Sequence, residues 1–64
     1  MDDYEAIKKA FEYLSRESVE ISEEVVLGEP ILTVKIRRPL KIRFHFEVDE
    51  YSDEAYFSDL EVIE

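Results

Sequence analysis

From Leu32 to Val48 the large apolar side chains all fall on even positions: Leu32, Val34, Ile36, Leu40, Ile42, Phe44, Phe46 and Val48. The odd positions between them hold Thr33, Lys35, Arg37, Lys41, Arg43 and His45. A side-chain period of two belongs to β-strands. It gives a sheet one apolar face and one basic face. Any fold of this chain must cover that apolar face, and one other segment has the pattern to do so. Tyr4, Ile7, Phe11 and Leu14 recur at helical spacing with Ala10 beside them, while Lys8, Lys9, Glu12 and Arg16 take the other side. Asp2 suits the N-cap, Glu5 completes a capping box, and acids gather in the first turn. The spacing predicts a helix from about Asp3 to about Arg16.

Between helix and alternating segment, Val19, Ile21, Val25 and Leu27 alternate with Glu20, Ser22 and Glu24, which reads as a further strand. Glu23 falls on its apolar side, so an edge position or a bulge is expected. Gly28-Glu29 fits a two-residue type II′ hairpin turn, with Pro30 placed to shift it.

Pro39 interrupts the alternation and leaves two arrangements open. A hairpin at Arg38-Pro39 with a three-residue loop keeps the faces but sets Lys35 opposite Lys41 and Thr33 opposite Arg43, and like charges directly opposed are unfavourable. A single long strand bent at Pro39 keeps its parity and pairs better on both flanks. It sets Glu20 against Arg37, Ser22 against Lys35 and Ile21 against Ile36. After a loop from Asp49 to Asp53, it sets Phe46 against Tyr56, Ile42 against Leu60, Leu40 against Val62, Arg43 against Asp59 and Lys41 against Glu61. The fold class is α+β: one N-terminal helix on an antiparallel sheet. Three strands with a long central one are preferred, and a four-strand meander is the alternative. The expected core is Ile7, Phe11, Leu14, Ile21, Val34, Ile36, Ile42, Phe44, Phe46 and Leu60.

Sixty-four residues make a single small domain, 1–64. A chain of this size buries about 60% of its unfolded surface and usually needs help to be stable. With no cysteine and one histidine, disulfides, thiolate sites and histidine-rich zinc sites are excluded. Tight packing or a homodimer remains. No cofactor or metal is expected. No apolar run approaches the ~20 residues that span a bilayer. The acidic start Met1-Asp2-Asp3-Tyr4 is unlike a signal peptide. A cytoplasmic location, in the producing cell or a host, is the expectation.

Charge bears on function. The net charge is −9. Lys35 to Arg43 holds five of the eight basic residues and no acid, whereas Glu47 to Glu64 holds eight acids and no base. A basic stripe of Lys35, Arg37, Lys41, Arg43 and His45 on the outer sheet face suggests a nucleic-acid platform, but such platforms stack bases on exposed aromatics. Phe44 and Phe46 have the wrong parity, which leaves only Phe57 to join the stripe. Pairing with Glu20, Asp59 and Glu61 explains the stripe better, and the overall charge opposes phosphate. His45 is the single histidine, and Ser22 and Ser58 lack the context of a nucleophile. The run Asp49 to Glu54 lacks the glycine and spaced carboxylates of a calcium loop. Paired catalytic carboxylates would need a pocket that so short a chain can hardly build.

Four tyrosines remain: Tyr4, Tyr13, Tyr51 and Tyr56. Tyrosine favours interfaces because it joins apolar area to a hydroxyl. The pattern therefore points to a non-enzymatic, acidic binding protein, an inhibitor or regulator. It would engage a basic surface of a partner protein, such as one that ordinarily holds nucleic acid, and neither nucleic acid nor a membrane directly. The contact residues would be Asp49, Glu50, Tyr51, Asp53 and Glu54. Small acidic inhibitors of phages and mobile elements, including DNA mimics and anti-CRISPR and anti-restriction proteins, are analogous in size and charge alone. The alternative is an assembly module that self-associates through a sheet edge or exposed strand. Adaptation to high salt would explain the acidity without any partner.

Overall fold

A computed structural model describes residues 2–14, 19–36 and 40–64, with only the backbone at Leu14. Helix α1 spans Asp3–Leu14, followed by strands β1 (Val19–Val26), β2 (Glu29–Ile36), β3 (Leu40–Val48) and β4 (Ala55–Ile63). The strands form one antiparallel sheet in the order β1-β2-β3-β4. The chain is α+β, with the helix on one face of a four-strand meander. Arg16, Arg37, Arg38 and Pro39, where the helix end, one ion pair and the bend were expected, lie outside the described residues, as does the Leu14 side chain.

The helix starts as its sequence dictates. The Asp2 carbonyl accepts from the Ala6 amide at 3.0 Å, and the Asp2 carboxylate accepts from the Glu5 amide at 2.9 Å, the N-cap half of a capping box.

The preferred long central strand is not what forms. β2 and β3 pair with each other, in the register that sets Lys35 opposite Lys41 and Thr33 opposite Arg43. The opposed lysines cost at most about 1 kcal/mol. The hairpin gains a complete additional ladder and a wider apolar face, with Leu32 opposite Phe44 and Val34 opposite Ile42. Those gains outweigh the repulsion.

Both flanking registers also differ from expectation. The first turn is Leu27-Gly28, with Val26 paired to Glu29, and both turn residues have positive φ, 53° and 79°. Two successive left-handed residues match the twist of the strands they join, and a type II′ turn at Gly28-Glu29 would need a closing amide from Pro30, which has none. The shift moves every β1 pairing by two residues. Glu20 meets Lys35 and Ile21 meets Val34.

Between β3 and β4 a bulge interrupts the ladder. Phe46 pairs with Phe57 but His45 with Asp59, leaving Ser58 as the extra residue. The bulge changes which parity of β4 faces the helix: Ala55 and Phe57 before it, Leu60 and Val62 after it. Tyr56, expected inward, therefore turns outward, and Phe57 leaves the basic face. Arg43 pairs with Glu61 instead of Asp59, and Lys41 lies opposite Ile63 instead of Glu61.

The core lies between helix and sheet. Leu32, Val34, Phe44, Phe46 and Ala55 are buried, with Tyr4, Ile7, Phe11, Val19, Ile21, Ile36 and Ile42 packed around them. An aromatic chain runs through it. Tyr4 meets Phe46 edge-on at 5.0 Å, Phe11 meets Phe44 at 5.4 Å, and Phe57 touches both phenylalanines at 6.4 Å. One twelve-residue helix cannot cover four strands. Leu60, expected in the core, is left 43% exposed on the outer strand. Glu23 does face the helix on edge strand β1. It accepts from the Tyr4 hydroxyl at 2.6 Å and pairs with Lys8 at 2.6 Å.

Candidate functional site

In a meander the first and third connections lie at the same end of the sheet. The Leu27-Gly28 turn, the loop 49–54 and the helix start are therefore neighbours. Segments 24–30 and 47–54 bring Glu24, Glu29, Glu47, Asp49, Glu50, Asp53 and Glu54 to this end with no lysine or arginine. Lys35 and Lys41 sit towards the opposite end. The outer-face bases between are partly neutralised. Glu61 takes Arg43 at 3.1 Å and His45 at 2.9 Å, and these two, His45 first, hold its carboxyl below the ordinary range.

The loop is ordered by its own hydrogen bonds. The Asp49 carboxylate accepts from the Tyr51 amide at 2.9 Å. The Asp49 carbonyl accepts from the Asp53 amide, and the Asp49 amide donates to the Glu54 carbonyl, both at 2.9 Å. Asp53 is left-handed at φ 58°, a conformation aspartate tolerates. The Glu54 amide donates to the Ser52 hydroxyl at 3.4 Å, and the Glu54 carboxylate accepts from the Tyr56 hydroxyl at 2.7 Å, which raises that phenol's pKa.

The five expected contact residues thus divide in role. Asp49 is half-buried and builds the loop, and Glu54 is engaged by Tyr56. Glu50 and Asp53 project carboxylates that have no partner among the described residues. Tyr51 stands 98% exposed at the tip. A loop ordered before binding loses less entropy on contact.

Several residues at this end were not anticipated. Leu27 is 96% exposed and left-handed, unfavourable for leucine on both counts. Val25 and Val26 beside it are also exposed. A cleft of about 390 Å³ lies between the turn, the loop and the helix start, with Val25, Pro30, Val48 and Ala55 as its apolar lining. Asp2 closes one side. Its carboxylate accepts from the Glu5 and Ala55 amides, each at 2.9 Å, and these bonds, Ala55's foremost, depress its pKa. None of this was visible without the strand count, because a three-strand sheet would put the two loops at opposite ends of the long strand.

Among the described residues no cluster of three acids or histidines is arranged to hold a metal ion, and no helix is long and apolar enough to cross a membrane. No protein-family model, curated protein or solved structure matches the chain.

Proposed function

We propose that this is a small, acidic, non-enzymatic binding protein, an inhibitor or regulator that engages a basic surface of a partner protein with the loop end of its sheet. The observation that carries this reading is the pre-ordered loop 49–54. It presents Tyr51 at 98% exposure beside carboxylates that no base among the described residues neutralises. Carboxylates can take the places of phosphates against arginine, so a partner whose basic surface ordinarily holds nucleic acid suits this end. A tyrosine framed by acids supplies the apolar anchor that a purely charged contact lacks.

Affinity capture from lysate at low salt tests this. A partner should be retained by the native protein, released at high salt, and lost from the Glu50→Gln, Asp53→Asn, Tyr51→Ala variant. The same partners retained by both proteins would remove the loop from the interface.

One observation favours the assembly reading. Phe57, Leu60 and Val62 form a half-exposed apolar strip along outer strand β4. Against it, the β4 edge is partly blocked, since Asp2 and Asp3 accept from the Ala55 and Phe57 amides. Asp59 and Glu61 would also repel a second copy. The mass in dilute solution discriminates: a stable dimer supports assembly, a monomer supports the inhibitor.

A further inference from the structure

We infer that the cleft between the helix start, the β1–β2 turn and the β3–β4 loop is a socket for one arginine or lysine side chain of the partner. The inference rests on the acidic-end reading above and names what that end grips. The cleft, about 390 Å³, is floored by Val25, Pro30, Val48 and Ala55. That is at the small end of ligand pockets, with room for a long side chain.

Its rim carries carboxylates of two kinds. Asp2 and Glu23 are engaged internally, the first by the Glu5 and Ala55 amides, the second by Tyr4 and Lys8. Asp53 is exposed and has no side-chain partner among the described residues, whereas Glu24, which borders the cleft, alternates to the outer face opposite Ile31. An apolar floor beside a free carboxylate repels an anion and offers a neutral donor only a hydrogen bond without charge assistance. It complements a long cationic side chain, whose methylene stem lies on apolar surface while its charged head stays at the rim. Arginine fits better than lysine, because its planar fork can meet a carboxylate with two hydrogen bonds.

The test is an NMR titration of the whole protein with a peptide of alternating glycine and arginine. Glycine–lysine and glycine–citrulline peptides are run beside it; citrulline keeps the shape of arginine without its charge. The Val25 and Val48 methyl signals should shift and saturate with arginine, more weakly with lysine, and not with citrulline. Asp53→Asn should weaken arginine-peptide binding by about tenfold, and Glu24→Gln should change it little. Asparagine keeps the left-handed backbone at position 53. Val25→Asp adds negative charge but breaks the apolar floor. A socket predicts weaker binding from it, and a merely charged surface predicts equal or tighter binding. Shifts confined to the loop amides 49–54, with Val25→Asp binding as well as the native chain, would overturn the socket and leave the acidic-end reading standing. No salt-sensitive shift anywhere with the cationic peptides would overturn both.

Discussion

Asp2 serves two elements with one carboxylate. One oxygen caps the helix at the Glu5 amide and the other holds the Ala55 amide of β4. Asp2→Ala should therefore speed hydrogen exchange at Glu5 and Ala55 together and lower the melting midpoint, while Phe57, held by Asp3, changes little. Tyr4 and Glu23 form the second such link, and pH reads both. Asp2, Glu23 and Glu61 have depressed carboxyl pKa values: Asp2 through the Ala55 and Glu5 amides, Glu23 through Lys8 and then Tyr4, Glu61 through His45 and then Arg43. A depressed folded pKa contributes stability above the ordinary carboxylate value of about 4, and that contribution is lost as pH falls through the folded values. Tyr4 has the opposite sign. Burial, and then the bond to Glu23, raises its phenol. Its contribution is present below the ordinary value of about 10 and lost as pH rises beyond it. Tyr4→Phe should cost about 0.5–1 kcal/mol at neutral pH. It should also remove an alkaline step from the stability profile, measured by denaturant titration at a series of pH values. An unchanged alkaline limb would deny Tyr4 that role.

At the scale of elements, the helix and the alternation from Leu32 to Val48 were legible because they depend on local period alone. Strand count and register were not. They turned on comparing one opposed lysine pair with a whole ladder, and the ladder's gain is not written at any single residue. The β4 register was hidden for a different reason. A bulge is one extra residue, and Ser58 carries no sign of it. Deleting Ser58 should therefore remove the bulge and leave a regular ladder, with Phe57 still opposite Phe46 and Leu60 still opposite Phe44. The deletion protein should keep well-dispersed NMR spectra, with Leu60 beside Phe44. Loss of the Leu60–Phe44 contact with a collapsed spectrum would refute the bulge, because only an unbulged strand has its faces exchanged by the deletion. Leu27 tests the first turn. Leu27→Asn puts a residue suited to φ 53° before Gly28 and should stabilise the fold by about 1 kcal/mol. If Leu27 belongs to the partner surface, the more stable variant should bind less tightly, which a melting curve and a binding isotherm on the same sample would show.

At the scale of the whole molecule, nine-residue strands at about 3.3 Å per residue span about 30 Å, so the 38 Å long axis follows them. The meander puts the acidic turn and loop at one end of that axis and Lys35 and Lys41 towards the other. The five loop residues were legible as an acidic, tyrosine-bearing run. The cleft was not, because its lining residues, from Val25 to Ala55, are joined only by the topology. The orientation of the charge should steer a basic partner to the loop end and raise the association rate at low salt. Charge-driven attachment at that end is tested most directly by the affinity of the arginine–glycine peptide across a salt series, for the native chain and for Glu50→Gln with Asp53→Asn. Affinity should fall steeply as salt rises for the native chain and start lower and fall less for the variant. Equal affinities and a flat salt dependence in both would contradict it.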